Sequence, residues 1–170
     1  MIRTKRLLLR SAMPSDAAPL HDIFSDPQAM RYWSCLPHDL DQTQAFVDGM
    51  IAADPATSLE RVVVYNDQVI GDQVIGRVGL WRIAEIGFIF HPRYWGLGLA
   101  REAVGALVDA VFARFPGIDR IDADIDPRNA GSERLLLSLG FVETGRAANT
   151  LKLGEEWCDS TYFARDRPRP

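Results

Sequence analysis

The sequence contains little cysteine and little histidine. Its 170 residues include two cysteines, Cys35 and Cys158, and three histidines, His21, His38 and His91. Two cysteines so far apart provide neither a disulfide framework nor the paired spacing of a zinc site, and the histidines are scattered without ligand spacing. We therefore expect no metal and a reduced, cytoplasmic setting.

Long apolar runs and an excess of basic residues are also missing. No uninterrupted apolar stretch approaches the roughly 20 residues of a membrane helix, and the one near the N-terminus is too short for a signal peptide. The formal net charge is -4. We therefore expect neither a membrane nor a nucleic acid as partner, whereas a cationic small molecule or a protein amine is compatible with the charge.

No linker-like stretch divides the chain. Hydrophobic residues make up 47% and charged residues 25%, as in an ordinary globular protein. This predicts a single domain over residues 1–164 and a mobile tail over residues 165–170, which has almost no apolar content.

Hydrophobic periodicity predicts the order β-α-α-β-β-β-α-β-α-β-β. Ser15-Asp16 and Asp39 or Asp41 are N-cap residues for the first two helices, the third helix runs over about 99–114, and a short helix ends at Gly140. The strands are expected at residues 6–10, 61–65, 74–81, 84–91, 118–125, 141–146 and 161–164. The fold class is α/β (α+β), with one mixed sheet and helices on both faces.

A tandem duplication interrupts this pattern. Asp67-Gln-Val-Ile-Gly71 is followed at once by Asp72-Gln-Val-Ile-Gly76. Five residues are too few for a solenoid repeat. We expect the extra copy to lengthen a hairpin connection or to bulge a strand, away from the chemistry.

The stretch from Glu85 to Glu102 is the most informative part of the chain. A β-branched and aromatic run stops at His91-Pro92, passes through Gly96-Leu97-Gly98 and becomes an amphipathic helix. The free N–H groups of a helix N-terminus and its dipole bind anions, and glycine lets the backbone approach the ligand. This arrangement predicts a phosphate site.

Several motifs together resemble the GNAT superfamily of acetyl-CoA-dependent N-acetyltransferases, and within it the RimJ/RimL type that acetylates ribosomal-protein N-termini. The motifs are Thr4–Arg10, Asp26–Trp33, Glu85–Phe88 with His91-Pro92, Arg93–Ala100 (Arg-x-x-Gly-x-Gly), and Asn129–Ser132 followed by Leu139-Gly-Phe141. The resemblance covers nearly the whole chain. It implies a mostly antiparallel, seven-stranded mixed sheet, acetyl-CoA as co-substrate, and an amine acceptor; it also makes a homodimer plausible.

The resemblance assigns roles to cofactor-binding residues. The main chain of a splayed strand containing Phe88, Ile89 and Phe90 would pair with the pantetheine arm like an added strand, and Asn129 would steady that arm. The pyrophosphate would lie on the loop and first helical turn, formed by Arg93, Gly96, Leu97, Gly98, Leu99 and Ala100. The side chains of Phe88 and Phe90 also suit a core, and Asn129 also suits a helix N-cap.

Catalysis requires a base for the ammonium and an acid for the thiolate. The resemblance implies that Glu85 is the base, because the family often places a carboxylate at the start of this strand; Asp124 and Asp126 are the alternative, although an acidic row on a strand is usually a solvated face. In the RimJ/RimL type that the chain resembles, a serine at the position of Ser132 is a candidate acid, and Leu136 stands where other GNAT branches carry a tyrosine. Glu155 and Glu156 are weaker base candidates. Tyr32, Trp33 and Trp157 are predicted to line the acceptor mouth.

Two other classes of function remain open at this point. A non-catalytic acyl-CoA-binding module would explain the missing tyrosine at Leu136. A nucleotide-binding oxidoreductase would use Gly96-x-Gly98 as a broken dinucleotide fingerprint, but Arg101 replaces its third glycine. Among acetyltransferases the acceptor is either a protein N-terminus or a small amine such as an amino acid, a polyamine or an aminoglycoside.

Overall fold

The computed structural model describes residues 1–67, 71–81 and 84–169. The helices are α1 (Ala17–Phe24), α2 (Pro27–Met30), α3 (Leu40–Ala52), α4 (Leu99–Arg114) and α5 (Ala130–Ser138). The strands are β1 (Ile2–Arg3), β2 (Leu7–Arg10), β3 (Leu59–Asp67), β4 (Gly71–Trp81), β5 (Glu85–Phe90), β6 (Arg120–Ile125), β7 (Val142–Leu153) and β8 (Glu156–Asp166).

One mixed sheet contains all eight of these strands in the order β1-β2-β3-β4-β5-β6-β8-β7. Every neighbouring pair is antiparallel except β5 and β6. The mixed, mostly antiparallel class is confirmed, but the count of seven strands is wrong by one. The additional strand, β1, is two residues long and pairs only with β2, so it is too short to show a period in the sequence.

Helices cover both faces of the sheet, as expected. Strand alternation places Val63 in the core under α4 and α5, and its neighbours Val62 and Val64 in the core under α1, α2 and α3. The helix α4 has the predicted limits, and its apolar stripe from Val104 to Phe112 is buried. The sheet therefore lies between two apolar cores.

Helix N-caps follow the sequence closely. The Asp39 carboxylate accepts the Gln42 N–H at 2.8 Å, so Asp39 and not Asp41 caps α3. The Asn129 side chain accepts the Ser132 N–H at 3.1 Å at the start of α5. Each cap satisfies one of the donors that a helix N-terminus leaves unpaired.

The C-terminal strand extends beyond its predicted end. Arg165 and Asp166 belong to β8, and the Arg167 guanidinium donates to the carbonyls of Phe112 and Phe115 at 2.7 and 2.8 Å. A tail beginning at residue 165 is therefore wrong: the backbone pairs with β6 up to Asp166, and Arg167 is held against the C-terminal end of α4.

The duplicated segment lies around the β3–β4 hairpin. The second copy is part of β4, where the register shifts opposite Val63 and Val64, so a bulge at Ile75 agrees with one of the two expectations. In the first copy, Asp67 ends β3 and Gly71 begins β4. Residues 68–70 lie outside the described residues, and so does the turn expected near Arg82-Ile83.

Candidate active site

A gap between β5 and β6 is the central feature of the site. The two parallel strands pair in register only at Glu85 and Asp122, where the Asp122 N–H donates to the Ala84 carbonyl at 2.7 Å. The described residues of β5 and β6 are not paired at any other position, so the strands diverge beyond Glu85 and Asp122. The divergence leaves one edge of β5 open within the sheet.

The backbone of β5 presents alternate residues to this gap. The His91 N–H donates to the Ile75 carbonyl of β4 at 2.9 Å. Because the backbone groups of successive residues in an extended strand point to opposite edges, the N–H and C=O groups of Phe88 and Phe90 point away from β4, toward the gap. The Phe90 carbonyl accepts the Trp95 indole N–H at 2.9 Å. The main chain of β5 can therefore receive an extended ligand arm as an added strand, while the Phe90 ring is buried in the core.

The glycine loop, residues 95–98, lies at the end of this open edge. Gly96 and Gly98 have φ angles of 75° and 73°, a left-handed conformation that favours glycine, and Gly98 is the N-cap of α4. The N–H groups of the first turn of α4 have no partner inside the helix. Arg93 lies exposed in the 3-10 turn before the loop. The arrangement suits a pyrophosphate.

Arg6, which directly precedes β2, supports the glycine loop. Its contact with the loop is not evident from the sequence. Its guanidinium donates to the Leu97 carbonyl at 2.9 Å and to Glu102 at 2.7 Å, and Thr4 also donates to Glu102, at 2.6 Å. Burial tends to raise the pKa of Glu102, but the hydrogen bonds from Thr4 and Arg6 outweigh it and lower that pKa. An ionised Glu102 thus fixes the loop to the N-terminal strands.

A small cleft of about 70 Å³ lies in the gap and brings together residues that are far apart in the sequence. Phe88, Asn129 and Ser132 line it, together with Tyr32 and Trp33 from the segment after α2. Ser132 is half-buried. The predicted acid, a residue of the predicted arm-binding strand and two predicted acceptor aromatics therefore line the same cleft.

A larger cleft of about 1190 Å³ adjoins the small one and is strongly acidic. Among the described residues that line it, six are carboxylates and one, Arg77, is basic: Asp54, Glu60, Glu85, Asp124, Asp126 and Asp159. Arg77 is itself paired with Glu60. Charges of one sign in a cleft concentrate ligands of the opposite sign.

The sequence matches a family model described as an acetyltransferase (GNAT) domain over residues 6–142. The chain belongs to the GNAT family of acetyltransferases. It is 33% identical over 153 residues to the uncharacterized N-acetyltransferase p20 of Bacillus licheniformis, covering 84% of this chain and 82% of p20.

Solved structures share the fold over nearly the full length. A GNAT-family acetyltransferase from Bacillus anthracis superimposes with a TM-score of 0.85 at 26% identity, covering 97% of each chain. Spermidine N-acetyltransferase from Vibrio cholerae, in complex with CoA and spermine, gives a TM-score of 0.81 at 22% identity and covers 96% of each chain; that identity shows the fold alone.

Family membership decides between the classes of function. The chain is an acetyl-CoA-dependent N-acetyltransferase, and not a nucleotide-binding oxidoreductase. The non-catalytic module is not supported either, because relatives such as p20 are named N-acetyltransferases. In the described residues no group of three His, Cys, Asp or Glu side chains could hold a metal ion. None of the helices there is long and apolar enough to span a bilayer.

The remaining predicted residues are more dispersed. Glu85 lines the larger cleft but not the small one. Trp157 lies near the start of β8, opposite Lys152, with 56% of its surface exposed, and it lines neither cleft. Tyr32 and Trp33 border both clefts, whereas the aromatic residues Phe46 and Trp81 line only the larger one.

Two carboxylates at the end of β6 differ in their surroundings. Arg128 donates to Asp126 at 2.6 Å and to Glu156 at 2.5 Å, and its hydrogen bond keeps the pKa of Asp126 low. Asp124 is solvent-exposed at the cleft, but partial desolvation there raises its pKa, and the hydrogen bond from Ser160 only partly opposes this. Asp124 borders both clefts. The partner of Asp126 lies two residues along the chain, whereas the partner of Asp124 lies 36 residues away and is not evident from the sequence.

Proposed function

We propose that the enzyme transfers the acetyl group of acetyl-CoA to a primary amine of a small cationic acceptor, by direct attack in a ternary complex. The observation that supports this proposal is the acidic lining of the larger cleft, which opens onto the gap between β5 and β6. An acceptor that carries positive charge is attracted to this excess of carboxylates, of which Glu60 and Asp126 are already paired with arginines, whereas an anionic one is repelled.

Acetyl-CoA supplies the activated acetyl group as a thioester. In this proposal the first-turn amides of α4 and the glycine loop hold the pyrophosphate, with Arg93 adding a positive charge. The open edge of β5, from Phe88 to Phe90, pairs with the pantetheine arm, and Asn129 steadies it. These contacts place the thioester next to the small cleft, between the cofactor strand and the aromatic side chains.

Two proton movements complete the reaction. The ammonium group of the acceptor must lose a proton before its nitrogen attacks, and the leaving thiolate must gain one. Ser132 lines the small cleft and is the proposed donor to the thiolate. The base is a carboxylate of the larger cleft, where Glu85 is the prediction from the sequence.

The RimJ/RimL-type motifs favour a different acceptor, a protein N-terminus. A cleft with six carboxylates suits a small polycation better than a peptide of unspecified sequence, so we favour the small amine. The cytoplasmic location and the homodimer remain predictions from the sequence.

An acceptor panel tests the proposed function. Release of CoA thiol is measured with acetyl-CoA and, in turn, spermidine, kanamycin, L-methionine and a peptide with a free N-terminal serine. We expect kcat/KM to be highest for the polycations spermidine and kanamycin, because the cleft attracts positive charge. A preference for the peptide or for zwitterionic methionine would overturn the cationic-acceptor proposal.

The same assay tests the acid. Ser132→Ala should lower kcat while the Kd for acetyl-CoA, from calorimetry, stays unchanged, because the hydroxyl acts only on the leaving thiolate. Ser138→Ala on the same helix, which is exposed and bonded to the Leu135 carbonyl, is the matched control. Equal kcat values for the two variants would remove Ser132 from the mechanism.

A further inference from the structure

We propose that Asp124 is the proton acceptor for the attacking amine, and that Ser160 and Thr150 form a hydroxyl chain that can hydrogen-bond to both its ionised and its protonated form. The inference rests on the proposed function, since it assigns a role within the same site. It replaces Glu85 with a residue that borders both clefts, where the acceptor amine and the thioester must meet.

The chain consists of three contacts between β6, β7 and β8. The Ser160 hydroxyl lies 3.0 Å from an Asp124 carboxylate oxygen and 2.7 Å from the Thr150 hydroxyl. The Thr150 hydroxyl in turn lies 3.2 Å from the Cys158 carbonyl oxygen. Ser160 is buried, with 6% of its surface exposed, so the chain leads from the cleft wall into the sheet.

The Ser160 hydrogen bond to the carboxylate favours the ionised form of Asp124, whereas counting protons shows that Thr150 favours the protonated form. Each hydroxyl carries a single proton, so with an ionised Asp124 two protons serve three contacts and one contact lacks a hydrogen bond. When Asp124 is protonated it donates to Ser160, Ser160 donates to Thr150, and Thr150 donates to the Cys158 carbonyl. All three contacts are then hydrogen bonds, and the carbonyl at the far end accepts the last one.

A bulge in β7 places Thr150 in the chain. Ala147 is opposite Ser160 and Leu151 is opposite Cys158, so three residues of β7 face the single residue Asp159. Asn149 has a φ of 55°, and its N–H is held by the Asp159 carboxylate at 2.9 Å. Bulges change the direction of a side chain beside a functional site, and this one directs the Thr150 hydroxyl toward Ser160.

Several ionisable side chains surround Asp124 from the neighbouring elements. Glu85 comes from β5 and Tyr32 from the segment after α2, with Asp126, Arg128, Cys158 and Asp159 at the ends of β6 and β8. These groups are the same in every hydroxyl variant. A comparison between such variants therefore isolates the effect of the hydroxyl chain on the pKa of Asp124, which partial desolvation raises and the Ser160 hydrogen bond lowers.

The proton balance is simple. Asp124 takes one proton from the acceptor ammonium, directly or through water, and the nitrogen lone pair then forms the C–N bond as the C–S bond breaks. The nitrogen loses its second proton as the amide forms, and the thiolate gains one through Ser132. Asp124 returns its proton to solvent, so the net change is an ammonium and a thioester converted to an amide, a thiol and one released proton.

The first test needs no acceptor. The pKa of Asp124 is measured by NMR in protein labelled with ¹³C at the aspartate carboxyl carbons, with Asp124→Asn providing the assignment. Thr150→Val removes one hydrogen bond from the ionised state and two from the protonated state. We expect the pKa of Asp124 to fall by roughly half a unit, the effect of losing one neutral hydrogen bond.

Thr144→Val is the matched control, because Thr144 also lies on β7 and makes one hydrogen bond, to the Tyr162 carbonyl at 3.3 Å, outside the clefts. This control should leave the pKa of Asp124 unchanged. An unchanged or raised pKa in Thr150→Val would overturn the hydroxyl chain. Circular dichroism of both variants checks that each is folded.

The second test measures turnover with spermidine. Asp124→Asn should lower kcat/KM at least a hundredfold, the lower range for loss of a general base, and the acid limb of the pH profile should move to lower pH in Thr150→Val. Asp122→Asn, two residues earlier on β6 and paired with Arg120, is the control. Full turnover by Asp124→Asn refutes the assignment. If the wild type itself acetylates no amine, the proposed function is wrong instead. The NMR measurement still tests the hydroxyl chain, because it needs no acceptor.

Discussion

Gly98 is the residue at which the glycine loop becomes a helix. Its φ of 73° would cost an L-residue roughly 1–2 kcal/mol. Gly98→Ala should therefore lower the melting temperature by about 2–8 °C and raise the Kd for acetyl-CoA, because relaxing φ redirects the first-turn amides of α4. Thermal denaturation and calorimetry measure the two effects.

Gly117 provides the comparison at the opposite end of α4. Its φ is not positive, and a Cβ there would meet nothing within 4 Å. Gly117→Ala should leave both the melting temperature and the Kd close to the wild type, or slightly stabilise the protein. If Gly98→Ala binds acetyl-CoA as tightly as Gly117→Ala, the glycine loop does not hold the cofactor.

Single residues differ in how far the sequence alone reveals them. Asn129 and Gly98 act through backbone that is adjacent in the chain, so local capping and turn patterns identify them. Arg6 acts on a loop 91 residues away, and Ser160 acts on a carboxylate 36 residues away. Such partners depend on tertiary packing, and no local sequence pattern predicts them.

The residue after β8, Arg167, anchors α4, the helix that follows the glycine loop. The Arg167 guanidinium donates to the carbonyls of Phe112, Phe115 and Ile118 at 2.7 to 2.8 Å and lies over the Phe112 ring. Truncation after Ala164 removes these bonds and two residues of strand pairing. We expect the free energy of unfolding in urea to fall by at least about 1.5–3 kcal/mol, the contribution of a charged hydrogen-bond donor.

Truncation after Arg167 is the matched control. It removes residues 168–170 and retains both β8 and the guanidinium. Its unfolding free energy should match that of the full chain. Equal stability of the two truncated proteins would mean that Arg167 contributes nothing, and that the whole segment after Ala164 behaves as a tail.

Helices and strands were not equally predictable. The limits of α4 follow from a glycine before it, a regular apolar stripe within it and Pro116-Gly117 after it. The β7–β8 hairpin is much longer than expected, because its β7 half is largely exposed and lacks an apolar alternation. The bulge near Asn149 is set by the register of β7 against β8, and that register depends on the partner strand as well as on β7.

At the scale of the whole molecule, the site is a product of topology. A single parallel pair in an otherwise antiparallel sheet creates the gap between β5 and β6. On one face of the sheet, the glycine loop leads into α4 and Ser132 lies on α5, whereas the segment after α2 brings Tyr32 and Trp33 from the other face. The resemblance could predict this architecture, but the charge of the larger cleft became visible only when its lining residues came together.

That charge leads to a prediction about ionic strength. The chain carries a net charge of -4, and its larger cleft is lined by six carboxylates. Attraction of a polycation over distances beyond the first contacts is screened by salt, with a Debye length of about 10 Å at 0.1 M and about 3 Å at 1 M. The kcat/KM for spermidine should therefore fall steeply as sodium chloride is raised over this range.

Benzylamine, which carries one positive charge, is the matched acceptor, and its kcat/KM should fall less because fewer charges are screened. Most of the change should appear in KM, since salt weakens the encounter with the cleft and not the chemistry. Neutralising a carboxylate remote from the small cleft, with Asp54→Asn, should reduce the salt dependence for spermidine. Identical salt dependence for the two amines would show that the acidic cleft does not select the acceptor by charge.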